Sequence, residues 1–171
     1  MLIKYLIVFF ISMIPLIELR GAIPVALSPA DMEFFGLFHG MGLPMLQSYA
    51  ICIVGNMLPV PVIFFFARKV LEWGKDKPVI GKFFTFCLVK GHKGGQKLKE
   101  KAGNGLFIAL LLFVGIPLPG TGAWTGTLAA SLLDMDFKSS VAAVLLGVLL
   151  AGVIMGVASF VGFGAIGAVA G

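Results

Sequence analysis

Two ionisable residues, Glu18 and Arg20, lie deep within an apolar block of the sequence and are the clearest candidates for chemistry. A charge at the centre of a membrane helix costs about 2.5–3.5 kcal/mol on insertion scales, so such residues pair, face a cavity or move ions. We expect Glu18 to bind and release a proton or another ion. Arg20 is then its partner or the anchor of an anion. A purely structural ion pair is the alternative.

The second candidate is an uncharged polar segment, Pro117 to Gly122, which interrupts the apolar block at residues 105–133. Proline removes a backbone donor and glycine loosens the chain, so a helix cannot continue there. Half-helix N-termini beside such interruptions attract anionic groups. We expect this segment to line a path, with Trp124 packing against it or stacking on a ligand.

Ion coupling and the substrate path are therefore assigned to residues near both interruptions and to one polar residue between them. These residues are Pro15, Glu18, Arg20, Gly21, Asn56, Pro117, Pro119, Gly120, Thr121, Gly122 and Trp124. Asn56 lines the path or forms a hydrogen bond between helices. The sequence shows no catalytic or metal-ligand spacing, so we predict no enzyme activity and no cofactor.

Composition limits the class of protein. Of 171 residues, 59% are hydrophobic and 12% are charged, against about 25% charged in ordinary soluble domains. A soluble domain of ~150 residues buries only about 70% of the surface of its unfolded chain, too little to hide so many apolar side chains. The sequence thus predicts a single integral membrane domain over residues 1–171. A soluble enzyme and a nucleic-acid-binding protein are excluded.

Four apolar blocks predict an all-α fold. Residues 44–67 and 139–163 are long enough to span a hydrocarbon core of about 30 Å. The blocks at residues 1–30 and 105–133 are each interrupted, with arms too short to cross alone. We predict that both are re-entrant helical hairpins, the second arm of the first one starting at Ala22. A spanning first helix and a single kinked helix are the respective alternatives.

The interrupted blocks also share letters. Ile14-Pro15-Leu16 recurs as Ile116-Pro117-Leu118, and Gly21-Ala22 recurs as Gly122-Ala123. A spanning helix follows each block. Because a hairpin returns to its own side and a span crosses, the second unit would be inverted. Inverted repeats with paired broken helices predict a transport site near the midplane.

The segment between the two units, residues 68–103, is basic. Ten Lys and Arg residues stand against three acids there, whereas the loop at residues 28–43 has no Lys or Arg. The positive-inside rule then makes the segment cytoplasmic, and we expect the plasma membrane of a prokaryote. Anionic lipid headgroups would contact its lysines. These are Lys82, Lys90, Lys93, Lys97 and Lys101.

Small residues in the last apolar block indicate close helix packing. Gly152, Gly156 and Ser159 follow one another at three- and four-residue spacing, a pattern that lets helices approach. The partner helix belongs to the same chain or to a second subunit. A homodimer would cover broken helices that one short chain leaves open.

Two motifs resemble known signatures. Residues 11–24, with Glu-Leu-Arg-Gly-Ala-Ile-Pro, resemble the first signature of the small multidrug export family, and residues 113–127 resemble its second. The family is distantly similar to the DedA/VTT superfamily. The resemblance implies paired inverted hairpin–helix units, with the first hairpin's acidic and basic roles at Glu18 and Arg20. DedA proteins carry arginines around the second Ile-Pro, where this chain has Val114, Gly115 and Gly120.

The combined expectation is a small secondary transporter, coupled to protons or other ions as an antiporter would be, with its site at the two hairpin tips. Its cargo is a small molecule of unidentified structure. The alternative is a lipid scramblase or flippase, in which the tips would form a polar path for a headgroup. A third hypothesis is that the protein has a structural role and transports nothing.

Overall fold

The chain is helical over most of its described length. The computed structural model describes residues 2–15, 17–29, 33–34, 38–74, 85, 89, 105–118 and 120–170. Its helices are α1 (Leu2–Met13), α2 (Glu18–Leu27), α3 (Met45–Met57), α4 (Pro59–Gly74), α5 (Gly105–Gly115), α6 (Ala123–Leu132) and α7 (Phe137–Ala170). Most of the basic segment and all five of its candidate lysines lie outside the described residues.

Two helical stretches among the described residues are long and apolar enough to cross a membrane. They are Met45–Ala67 and Phe137–Gly162. The first consists of α3 and α4, which separate at Leu58, because Pro59 has no N–H to continue the hydrogen bonds of α3. The second starts two residues earlier than predicted and continues through the Gly/Ala-rich tail to Ala170.

The first break separates α1 from α2, between Met13 and Glu18. The predicted interruption reached Gly21, with a new arm from Ala22, and this boundary is wrong. Helical hydrogen bonds already form at Glu18 N, which donates to Ile14 O at 2.9 Å. Pro24 lies inside α2, because a proline removes only one bond of the helical ladder.

The second break separates α5 from α6, between Gly115 and Ala123, and falls where the sequence predicted it. Gly120 and Gly122 have φ values of 81° and 151°. Both values favour glycine over residues with a side chain. Each arm is ten or eleven residues long, which at about 1.5 Å per residue is too short to span a bilayer.

The helices pack in a crosswise pattern. α1 contacts α3 and α5 contacts α7, so each first arm packs on the long helix that follows it. α2 also contacts α7, and α6 contacts α4, so each second arm reaches the long helix of the other half. Buried apolar side chains from every one of these helices form one core.

Glycines allow the closest of these contacts. A Cβ at Gly147 would lie 2.7 Å from Val114 Cβ, and one at Gly115 would lie 2.7 Å from Leu150 Cδ2. At Gly152 an added Cβ would meet the Tyr49 hydroxyl at 2.7 Å. The helix that packs against Gly152 is therefore α3 of the same chain. The sequence had left open whether this partner helix belongs to the same chain or to a second subunit.

The loop after α2 holds a small ladder that the sequence did not predict. β1 (Glu33–Phe34) pairs antiparallel with β2 (Phe38–His39). Met41 N and Leu43 N then donate to Val25 O and Ala26 O at 2.9 and 2.8 Å. These bonds fix the loop to the C-terminal end of α2.

Candidate functional site

Glu18 is a buried carboxylate that caps a helix from the other half of the chain. Its side chain is 5% exposed. Ala123 N donates to Oε2 at 2.9 Å, and Trp124 N donates to Oε1 at 3.1 Å. These are the first two residues of α6, where backbone N–H groups have no acceptor within the helix. The helix dipole also favours a negative charge at this end.

Gly122 provides the space for this carboxylate. A Cβ at that position would lie 2.7 Å from Glu18 Cδ, far inside contact distance. Its φ of 151° with ψ of −172° is a conformation that is essentially confined to glycine. Gly122 and Ala123, the two letters shared with Gly21-Ala22, therefore form the binding site for the side chain of Glu18.

Arg20 binds the opposite side of the second break. Its Nη2 donates to Val114 O at 3.1 Å and to Ile116 O at 3.3 Å, and its Nη1 donates to Leu118 O. Carbonyls at the C-terminal end of a helix lack intrahelical donors, and the dipole there favours a cation. The guanidinium thus satisfies the carbonyls that end α5.

Thr121 reinforces the same carbonyls. Its hydroxyl lies 3.0 Å from Ile116 O and 2.9 Å from Leu118 O. Thr121 stands 101 positions after Arg20, which is the offset that relates Gly21-Ala22 to Gly122-Ala123. Residues at corresponding positions of the two halves therefore converge on one turn of backbone.

The two charges do not form a direct ion pair. Each side chain binds backbone at one end of the second break, and the two charges attract each other at longer range without a direct N–O contact. Glu18 holds the start of α6, while Arg20 holds the end of α5. The ion pair that the sequence offered as a structural alternative is thus replaced by two separate backbone contacts.

Trp124 makes the contact in the reverse direction. Its indole Nε1 donates to Met13 O at 3.1 Å, and Met13 is the last residue of α1. Of the two roles predicted for this residue, packing against the breaks is the one that this bond serves. Each break is therefore held by a polar side chain from the other half of the chain.

The remaining candidates lie around this arrangement or away from it. Pro117 and Gly120 belong to the second break, whereas Pro15 is exposed in the first. Gly21 packs against Ile17, the residue that precedes its helix. Asn56 is 2% exposed on α3, and its Oδ1 has no hydrogen-bond partner. Pro119 lies outside the described residues.

Sequence reasoning missed the acceptors of these bonds. The carbonyls of Met13, Val114, Ile116 and Leu118 are main-chain atoms, and no side-chain pattern marks them. The one available signal was the helix break itself, which leaves carbonyls without donors. Within the described ranges, no group of three or more His, Cys, Asp and Glu side chains could hold a metal ion.

Two apolar helical stretches of spanning length, with the buried carboxylate of Glu18 at a helix break, point to a helical membrane protein. The family described as "Putative small multi-drug export protein" matches residues 18–154, a range that includes Glu18, Arg20 and the whole second break. The chain belongs to this family. Neither a curated protein nor a solved structure matches it. The similarity to DedA/VTT proteins stays a prediction.

Proposed function

We propose that this protein is a small ion-coupled exporter and that protonation of Glu18 is the coupling step. The observation that carries the proposal is a carboxylate, 5% exposed, bonded to the N-terminus of a helix from the other half of the chain. The description of its family as multi-drug export proteins supports outward transport and a drug-like cargo.

The chemistry of the Glu18 contact supports coupling. The ionised carboxylate accepts from two backbone N–H groups, and such charge-assisted bonds are roughly twice as strong as neutral ones. Protonation removes the charge that the start of α6 stabilises. The contact between Glu18 and α6 then weakens, while Arg20 keeps its hold on the end of α5. Proton binding would thereby free one side of the second break.

The wider architecture fits an alternating mechanism. We propose that each half is a re-entrant hairpin followed by a spanning helix, with the second half inverted. The crosswise packing of α2 on α7 and of α6 on α4 supports this arrangement. So do the reciprocal bonds between the two breaks. A site between inverted halves can open to one side at a time.

The membrane setting completes the proposal. We place the basic segment in the cytoplasm of a prokaryote, with its lysines on anionic headgroups. Large apolar side chains such as Leu46 and Phe160 are 81% and 76% exposed, and lipid or a second subunit would cover them. A homodimer is part of the proposal, and catalysis and cofactors are not.

The test is drug flux in liposomes that hold purified protein and a trapped fluorescent cationic drug, ethidium. A pH gradient is imposed, and wild type is compared with Glu18→Gln. Glu33→Gln is the matched control, because Glu33 lies in the loop ladder with its side chain 63% exposed. We expect Glu18→Gln to lose gradient-driven flux while Glu33→Gln keeps it. Equal flux in all three proteins would contradict the proposal.

The same liposomes test the alternative function. A fluorescent lipid in one leaflet reports headgroup transfer without any ion gradient. If wild type moves lipid in this way and never moves ethidium, the protein is a lipid scramblase and the exporter proposal fails.

A further inference from the structure

A cavity of about 190 Å³ lies between α5 and α6, apart from the polar contacts of the breaks. Every residue that lines it is apolar. The walls include Leu106, Leu110 and Phe113 from α5, Ala129 and Ala130 from α6, and Met135 beyond α6. No charged or hydrogen-bonding side chain faces this space, so it does not attract water.

We propose that this cavity binds one uncharged aromatic ring of an exported compound. An engineered protein cavity of about 150 Å³ lined by Leu, Ile and Phe stays dry and binds benzene. The cavity here has a similar apolar lining and a volume of about 190 Å³, and it is open along its rim. The inference deepens the proposed export function, on which its role as a transport subsite rests, by naming the chemical class of the cargo.

The rim of the cavity indicates how the ring arrives. Phe113 is 41% exposed, and its neighbours Ile108 and Leu112 are also exposed on the outer face of α5. In a bilayer this face meets lipid chains rather than water. An apolar compound dissolved in the membrane therefore reaches the cavity sideways, without crossing the polar breaks.

The position of the cavity connects it to the second break. Phe113 directly precedes Val114, whose carbonyl accepts a bond from Arg20. A Cβ at Gly126 would lie 3.3 Å from Leu110 Cδ1 and 3.7 Å from Phe113 Cδ1, so the two arms are in close contact beside the cavity. A ring bound in the cavity would therefore lie beside the end of α5 that Arg20 holds.

Photolabelling of the full chain in liposomes tests this proposal. The probe is a membrane-soluble phenyl diazirine, and mass spectrometry locates the labelled residues. Leu110 and Met135 are 6% and 7% exposed and line the cavity, whereas Ile108 is 54% exposed to lipid. We expect label at all three positions, because a ring inside the cavity reaches the two buried side chains. Label at Ile108 alone would overturn the proposal.

Filling variants make the test specific. Ala129→Leu fills the cavity from α6, and Ala109→Leu fills it from its exposed rim. Ala142→Leu, on an exposed position of α7, is the matched control. We expect both filling variants to lose label at Leu110 and Met135 and to keep it at Ile108. Buried label that persists in both variants would contradict the proposal.

Two further readings separate the possible failures. If a lipid with a diazirine on its acyl chain labels Leu110 and Met135 better than the phenyl probe does, the cavity binds lipid. That result would contradict the proposal that it binds an aromatic ring. Labelling needs no pH gradient, so it is independent of flux. If Leu110 and Met135 are not labelled but gradient-driven flux is intact, only the proposal of a ring-binding cavity fails. If both are labelled but gradient-driven flux is absent, only the proposed coupling fails.

Discussion

The two helix breaks differ in what they carry. The first is followed at once by Glu18 and Arg20, whereas the second has no charged residue among those the structure describes. Yet Glu18 and Arg20 both act at the second break, on the N–H groups that start α6 and on the carbonyls that end α5. The first break receives a bond in return, from Trp124 Nε1 to Met13 O.

The comparison shows where a membrane protein needs its charges. Backbone groups without partners are costly in hydrocarbon, and each non-helical segment must satisfy them within the protein. The second break is the longer one and contains two glycines with positive φ. It therefore leaves more carbonyls and N–H groups to satisfy, and the other half supplies both the cation and the anion that do so.

Removing Arg20 should break this arrangement most strongly. Arg20→Ala leaves three carbonyls without the guanidinium, and we expect a loss of about 3–5 kcal/mol in the free energy of unfolding. Arg20→Lys should recover only part of it, because an ammonium lacks the planar fork of donors. Unfolding in mixed micelles measures both, with exposed Lys138→Ala as control. An Arg20→Ala loss no larger than that of the control would refute the role.

Filling the space beside Glu18 should have the next largest effect. Gly122→Ala combines an unfavourable backbone conformation with overlap on the carboxylate, and we expect a cost of about 2–3 kcal/mol. Gly120→Ala is the matched control: its φ is also positive, but an added Cβ would have nothing within 4 Å. We expect it to cost about 1 kcal/mol.

A double-mutant cycle sharpens the same point. The cost of Gly122→Ala should fall when Glu18 is also changed to Ala, since the overlapping carboxylate is then absent. Strictly additive costs in this cycle, measured by unfolding in mixed micelles, would mean that the two residues do not interact.

The reverse contact should have the smallest effect. Trp124→Phe keeps an aromatic ring but loses the bond to Met13 O, for a cost of about 1 kcal/mol. Tyr49→Phe is the comparison, because it removes one bond to Leu149 O, between α3 and α7 and away from the breaks. We expect similar losses of stability but altered drug flux only in Trp124→Phe. Equal drug flux in the two variants would mean that the Trp124 bond has no role in transport.

Much of this fold follows from local sequence. Apolar block length predicts spans at 44–67 and 139–163, close to the stretches Met45–Ala67 and Phe137–Gly162 of the structure, and Pro117 with Gly122 marks the second break. The start of α2 does not follow from such patterns. Pro24 reads as a helix breaker, but the turn from Ile14 to Gly21 already has its hydrogen bonds and the helix passes through the proline.

The site is less predictable because its contacts are distant in sequence. Sequence identifies Glu18 and Arg20 by the cost of burying a charge. It cannot give their partners, which lie 94 to 106 residues away and are mostly main-chain atoms. Only the packing of α2 against the other half determines that the two side chains bind opposite ends of one break instead of each other.

The central claim is that Glu18 carries the coupling proton, and a trapped pH dye tests it most directly. Purified protein is placed in liposomes with the dye inside, and ethidium is added under an imposed pH gradient. We predict that wild type moves protons in response to the drug and that Glu18→Gln does not. An unfolding transition like that of wild type would show that the variant is folded. Drug-dependent proton movement of equal size in both proteins would contradict the claim.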